Sequence, residues 1–240
     1  MGRFVDLHLN NPENPSEVFK LLGLLGYGMV AVSLPEKSFT QFEDFRRFGK
    51  EFGVDVVSRV DLTPTSTREL LQKLRSLRGK FELIGVVCES KSILRVAVRD
   101  GRVDLVLLSP SKLNLFGEVE ARFASNSNAT LEVCFASFLG VSDRIAVRVF
   151  SMLHKVVGLA KRFGLPLVVS SGAKNVYGVK APRDLAAFIQ LFGLTREEAL
   201  ATVSTNPKKI VERNREKLDK SFVGVGVRVF CKEGGKIEDG

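Results

Sequence analysis

The sequence predicts an α/β protein folded as a TIM-like (β/α) barrel, one domain spanning residues 1–240. Three observations carry that expectation. Short runs rich in Val, Ile and Leu recur seven times between segments of helical periodicity, which is the alternation of βα units. The length of 240 residues suits one such barrel, and a hydrophobic content of 45% is enough to fill its core. No linker interrupts the series. An open doubly wound sheet is the structural alternative, because periodicity does not encode strand order.

The first run, Phe4 to Leu9, mixes apolar residues with Asp6 and His8. The second, Gly28 to Leu34, leads into a helix on which Phe39, Phe42, Phe45 and Phe48 fall three apart. That spacing drifts around a helix, so most rings are expected to be buried and one to stay exposed. Gly53 closes this helix before the third run, Val54 to Leu62. Ser66 and Glu69 then have capping-box spacing, in which a hydroxyl and a carboxylate satisfy free amide donors of the first helical turn.

Gly79 precedes the fourth run, Phe81 to Cys88, and the fifth and sixth are Val103 to Leu108 and Ala129 to Phe135. A long helix follows from about Ser142 to Phe163, with Ile145, Val149, Met152, Leu153, Val156, Ala160 and Phe163 on its expected buried face. Gly164 ends it before the seventh run, Leu167 to Ser171. Pro182 sits where a first helical residue would, and Thr195 with Glu198 repeats the capping-box spacing. Asn206 is read as the N-cap of a helix that begins at Pro207. The tail from Val223 to Val229 either closes the barrel as an eighth strand or lies against an edge, and the chain from about residue 215 is expected to be peripheral.

In such a barrel, chemistry sits on the loops after the carboxyl ends of the strands. Metal-assisted hydrolysis needs at least three His, Asp, Glu or Cys ligands converging there. Only two histidines exist, and His154 lies within the long helix. Asp6-Leu7-His8 resembles the start of the metal-binding motif of the metallohydrolase superfamily named for polymerase and histidinol phosphatase domains. That motif continues with a second histidine where this sequence has Asn10, and its later Asp-Ala-His falls near Gly172-Ala173-Lys174. A barrel that shares this ancestry and has lost its ions is one reading; the preferred one is that Asp6 and His8 simply hydrogen-bond at the barrel's end. Ser170-Ser171-Gly172 is no nucleophile elbow, and Gly224 and Gly226 lack the third glycine of a dinucleotide site. No catalytic residue, metal ligand or bound cofactor is expected. Cys88, Cys134 and Cys231 are widely spaced and odd in number, which suggests neither disulfides nor zinc.

The charge balance is more informative. Thirty-six basic residues stand against 27 acidic ones, a net charge of +9, and such an excess favours a polyanion partner. On the long helix Arg144, Arg148, Lys155 and Arg162 are separated by four, seven and seven residues, which keeps them in one stripe. That stripe fits a solvated face and a phosphate-binding face equally. Arg99 and Arg102 lie before the fifth strand, Lys112 after it, and Lys174, Lys180, Arg183, Lys208 and Lys209 near the end. The last two open the helix at Pro207, whose free amides would add to the attraction for an anion. No segment approaches the roughly 20 apolar residues of a membrane span, nor does the amino terminus look like a signal. A soluble cytoplasmic protein is expected.

Several segments resemble the barrel protein subunit of archaeal and eukaryotic ribonuclease P. They are Val168-Val169-Ser170-Ser171-Gly172-Ala173, Lys180-Ala181-Pro182-Arg183-Asp184-Leu185, Leu191-Phe192-Gly193-Leu194 and Ala201-Thr202-Val203-Ser204-Thr205-Asn206. Phe4-Val5-Asp6-Leu7, Leu25 to Val32 and Val103-Asp104-Leu105 extend the likeness over nearly the full length. This family commonly carries Arg where Lys180 stands, which trades a bidentate phosphate contact for a point charge. The resemblance implies a TIM-like barrel that supports removal of 5′ leaders from precursor tRNA. It implies as partners the catalytic ribonuclease P RNA, which uses Mg²⁺, and a smaller ribonuclease P protein subunit. Arg144, Arg148, Lys174, Lys180, Arg183, Lys208 and Lys209 are the expected RNA-binding residues, and Arg99, Arg102 and Lys112 form a second set. Asp184 would cap its helix, orient Lys180 or meet RNA. Two other readings stand beside this one: a metal-dependent phosphoesterase built around Asp6, His8, Asp61 and Glu89, and a protein-docking scaffold.

Overall fold

The computed structural model describes residues 3–219 and the backbone of 222–224 and 227–228; Cys231 and the end of the tail lie outside the described residues. Seven parallel strands appear in the expected order: β1 (Phe4–Asn10), β2 (Tyr27–Ser33), β3 (Asp55–Leu62), β4 (Leu83–Val87), β5 (Leu105–Leu107), β6 (Thr130–Cys134) and β7 (Leu167–Ser170). Each pairs with the next, so sequence order is spatial order. The two edges then meet. Near the carboxyl ends the Gly172 amide donates to the His8 carbonyl at 3.0 Å and the Asn10 amide to Ala173 at 2.8 Å. This sequential order with joined edges makes a nearly closed barrel rather than a doubly wound sheet.

The eighth position is filled by an unexpected segment. At the amino end the Val5 amide donates to the Val203 carbonyl at 2.9 Å, and the Val169 amide to Thr202 at 3.2 Å. The stretch Thr202 to Ser204 thus stands between β1 and β7. The tail does not take that place: β8 (Phe222–Gly224) and β9 (Val227–Arg228) pair with each other, antiparallel, outside the seven-stranded sheet.

Helices α1 (Pro15–Leu24), α2 (Phe42–Glu51), α3 (Thr67–Leu77), α4 (Lys91–Ala97) and α5 (Glu118–Ser125) follow the first five strands. After β6 come α6 (Ala136–Leu139) and α7 (Asp143–Arg162), and after β7 come α8 (Pro182–Gln190), α9 (Arg196–Ala201) and α10 (Thr205–Leu218). Ser66 and Thr195 accept from the amides of Glu69 and Glu198, each at 3.2 Å, but only Glu198 completes the capping box, since the Glu69 carboxylate accepts from Thr65 instead of from Ser66. Gly53 and Gly164 adopt positive φ behind their helices, whereas Gly79 does not. Asn206 and Pro207 fall inside α10 instead of at its start, because the Asn206 side-chain amide donates to the Leu167 carbonyl at 2.9 Å and Ser204 takes the N-cap position.

Two apolar layers hold the barrel together. Val56, Val60, Ile84, Val86 and Val169 face the surrounding helices, while Val57, Leu83, Leu105 and Val168 fill the interior. Ile210 and Val211 of α10 join that interior cluster, so α10 plugs the amino end. Arg215, where the peripheral tail was to begin, is tied to the strand starts by ion pairs with Asp55 and Glu82. Among the rings of the second helical region, Phe42 and Phe45 are buried; Phe39, on a 3₁₀ turn, is 40% exposed and packs edge-on against Phe42 and Phe81.

Candidate nucleic-acid interface

The interior of the carboxyl half is polar. Arg59 points inward from the middle of β3 and is completely buried. Its Nη2 lies 2.7 Å from Asp61 Oδ1 and 2.7 Å from Glu132 Oε2, and its Nη1 donates to Glu132 Oε1 at 3.0 Å and to the Leu7 carbonyl at 2.6 Å. His8 approaches the same carboxylates, with Nδ1 3.2 Å from Glu132 and Nε2 3.5 Å from Asp61. Ser170 donates to Glu132 and Ser33 to Asp61, each at 2.5 Å. No buried side-chain nitrogen or oxygen among the described residues lacks a hydrogen-bond partner.

These contacts set the charges. Burial pushes the carboxyls of Asp61 and Glu132 up, but Arg59 and His8 outweigh it, holding Asp61 low and Glu132 down at about 2. Burial and the Arg59 charge press His8 down, yet Asp61 and Glu132 carry it to about 10. Two cations therefore face two anions. Asp6 stands apart, with its pKa raised by burial, accepting from the backbone amides of His8 at 3.0 Å and Ser171 at 3.2 Å. A bulge in β1 between Asp6 and Leu9 breaks the alternation that would have aimed Asp6 and His8 alike.

Of the residues of the phosphoesterase reading, the His8 and Asp61 side chains meet, whereas those of Asp6 and Glu89 stand away from them. Asp61 is engaged by Arg59, and Glu89 lies on the surface, 3.5 Å from Lys112. A metal ion does not fit beside a guanidinium already bridging both interior carboxylates. Arg59 and Glu132 were missed at the level of sequence, although an Arg and a Glu in the interiors of apolar runs were a visible signal. Two glycines make the arrangement possible. A Cβ on Gly85 would collide with Asp61 Oδ1, and one on Gly172, whose φ is +68°, would fall 2.5 Å from Cys134 Sγ.

The expected RNA-binding cations divide between the two ends of the barrel. At the carboxyl end stand Arg144 and Arg148 at the start of α7, Lys174 after β7, and Lys180 and Arg183 at the start of α8, with Lys112 in the turn after β5. Arg144, Arg148, Lys174 and Arg183 are exposed, and none makes an ion pair among the described residues. Arg148 and Ile145 border a cleft with Ser111 and Asn114, which brings the head of α7 to the turn that carries Lys112. Lys180 is half-buried: its Nζ donates to the Tyr177 carbonyl, and its own carbonyl accepts from Tyr27 at 2.9 Å. Asp184 is exposed and caps nothing; Ala181 holds the N-cap position of α8.

The remaining cations lie at the amino end. Arg102 is paired with Asp100 at 2.7 Å, Arg99 lies over the Phe123 ring, and Lys208 is 3.6 Å from Glu212. Lys208 and Lys209 fall within α10 rather than on its first residues, so they do not frame free helix amides as expected. The stripe on α7 is likewise cut: Arg162, at its far end, pairs with Glu118 at 2.7 Å. Ile145, expected on the buried face, is 50% exposed.

The family model described as RNase P subunit p30 matches residues 3–219. The chain belongs to this ribonuclease P subunit family. Ribonuclease P protein component 3 of Methanococcoides burtonii is 28% identical over 92% of this chain and 88% of its own length, and that of Methanosarcina mazei is 29% identical over 91% and 92%. Among solved structures, a chain of archaeal ribonuclease P with mature tRNA superposes with a TM-score of 0.84 at 25% identity, covering 96% of this chain and all of that one. Histidinol phosphate phosphatase from Lactococcus lactis aligns with a TM-score of 0.52 at 9% identity over 80% of this chain and 95% of its own, a likeness of fold alone. This p30-family barrel thus shares its architecture with metallohydrolases while carrying Arg59 between its interior carboxylates. No helix among its described residues is long and apolar enough to cross a membrane.

Proposed function

We propose that this chain is a ribonuclease P protein subunit that grips RNA phosphates with the cations around the carboxyl mouth of its barrel. Its partners are then the ribonuclease P RNA, precursor tRNA and a smaller ribonuclease P protein subunit. Removal of the 5′ leader belongs to the RNA, which uses Mg²⁺, and this chain binds no cofactor of its own. The setting is the cytoplasm. Family membership supports the assembly. One observation carries the assignment of the face: Arg144, Arg148, Lys174 and Arg183 stand exposed and without ion pairs at one end of the barrel. Cations not engaged by the fold remain available to displace counterions from phosphates.

A second surface suits a protein neighbour. Val147 is 80% exposed and Leu191 77%, and their neighbours along the chain, Phe150 and Phe192, pack ring to ring at 5.9 Å. Apolar side chains so exposed are the kind that a subunit interface covers. Reconstituting precursor cleavage with the RNA, the smaller subunit and this chain tests the whole reading: omitting this chain should depress cleavage, and equal cleavage without it would refute the assignment. Val147→Asp with Leu191→Asp should weaken co-purification with the smaller subunit and leave the salt dependence of RNA binding unchanged.

A further inference from the structure

We propose that Tyr177, on the loop between β7 and α8, is a stacking platform for one unpaired nucleotide of RNA, with the cations of the same loop holding the adjoining phosphates. This rests on the reading of the carboxyl mouth as an RNA-binding face and names what that face recognises. The chain has two tyrosines, and they stand at opposite extremes. Tyr27 is buried, whereas Tyr177 is 87% exposed, the most exposed large apolar or aromatic side chain among the described residues. A ring so exposed offers its face to a partner.

The backbone beneath that ring is tied down on every side. Where the loop leaves β7, the amides of Asn10 and Glu13 donate to the carbonyls of Ala173 and Lys174 at 2.8 and 2.7 Å. Where it enters α8, the buried Tyr27 hydroxyl donates to the Lys180 carbonyl at 2.9 Å. Between these points the Gly178 amide donates to the carbonyl and to Oδ1 of Asn175, at 3.1 and 3.2 Å, and Lys180 Nζ donates to the Tyr177 carbonyl at 2.9 Å. Gly178 passes so near Ala173 that a Cβ there would lie 3.1 Å from Ala173 Cα. A tyrosine on a fixed backbone has only two side-chain torsions to give up on binding.

Charge selects the partner. Residues 174–184 carry three cations, Lys174, Lys180 and Arg183, against one acid, Asp184. An anionic strand is drawn to such a loop, whereas an apolar protein surface would leave its cations uncompensated. RNA answers both features, with phosphates for Lys174 and Arg183 and a π-face for the tyrosine wherever a base is free of its neighbours. A base inside a duplex has both faces covered already, so the loop fits an unpaired nucleotide.

The test uses the full chain and dye-labelled RNAs of about 12 nucleotides, one unstructured and one paired into a duplex. Tyr177→Ala should weaken binding of the unstructured RNA roughly 10-fold and leave duplex affinity alone, while Tyr177→Phe keeps both. Because no charge is removed, the salt slope of Tyr177→Ala should match that of the unsubstituted chain. The chain has no tryptophan, so Tyr177→Trp provides a single emitter, which the unstructured RNA should quench and the duplex should not. Titrating ribonuclease P RNA and precursor tRNA separately into that variant shows which of them supplies the nucleotide; quenching by either supports the proposal. Unaltered affinity in Tyr177→Ala together with unaltered emission in Tyr177→Trp would overturn it and leave the phosphate-binding mouth standing. Full RNA affinity after Arg144, Arg148, Lys174 and Arg183 are all changed to Ala would bring down the reading of the mouth and the proposal with it. Loss of the smaller subunit from Tyr177→Ala, with RNA affinity intact, would assign the ring to a protein contact and overturn the proposal.

Discussion

At the amino end of the barrel Arg78 and Arg213 share Asp104, and Arg215 spans Asp55 and Glu82. At the carboxyl end Arg144, Arg148, Lys174 and Arg183 face solvent with no acid against them among the described residues. The same residue types thus serve different ends. On one side of the barrel they help fasten the plug helix α10 to the strand starts; on the other they are left without ion pairs among the described residues. A net charge of +9 says that cations are in excess, and only the pairing pattern says which ones are the excess. Arg59 marks the boundary, for it lies toward the carboxyl end and yet is engaged wholly by the fold.

The sharpest way to break this contrast is to remove Arg59. Arg59→Ala should cost about 3–5 kcal/mol, because it strands two buried carboxylates, and urea unfolding measures it. A loss below about 1 kcal/mol would mean that the interior network is not what holds the mouth. The pH dependence follows from the same network. His8, raised from 6.5 to about 10, keeps in the folded state a proton that the unfolded chain releases. Its stabilisation is full below pH 6.5 and fades as pH climbs toward 10. Glu132, lowered from 4.5 to about 2, acts in the opposite sense: its contribution is full above pH 4.5 and is lost as pH falls toward 2. Urea midpoints measured across this range should peak between those limits, and His8→Gln should flatten the alkaline limb.

Gly85→Ala should destabilise by roughly 1–3 kcal/mol, since its methyl group would collide with Asp61. Full stability of that variant would show that the Asp61 side chain can move aside freely. The smallest effects belong to the surface. Arg144→Ala and Arg183→Ala should change folding stability by less than about 0.5 kcal/mol, because they have no ion-pair partners to lose. Larger losses would reveal that they serve the fold after all.

Much of the fold was legible in the sequence because its signals are local. Seven apolar runs became seven strands, and Ser66 and Thr195 capped the helices their spacing announced. What escaped depends on distance along the chain. Arg59 meets Glu132 from 73 positions away, and no periodicity predicts that pairing. The eighth position went to Thr202 to Ser204 rather than to the Val-rich tail, a choice made by backbone amides of Val5 and Val169. Asn206 had the chemistry of a cap, but Leu167 offered its side-chain amide a carbonyl. The candidate cations were found by counting, whereas Arg102 was lost to Asp100, a neighbour two positions away, and Arg162 to Glu118, which only the folded chain brings near.

The contrast between the two ends meets its most direct test in the salt dependence of RNA binding. Ribonuclease P RNA would be titrated with the unsubstituted chain, with Arg144→Ala, Arg148→Ala, Lys174→Ala and Arg183→Ala combined, and with Arg99→Ala, Arg102→Ala and Lys208→Ala combined. The first set should flatten the slope of log K against log salt by about 0.7–0.9 for each phosphate that is no longer neutralised, and the second should leave it unchanged. An unchanged slope for the carboxyl-end set, with a flattened one for the amino-end set, would contradict the account.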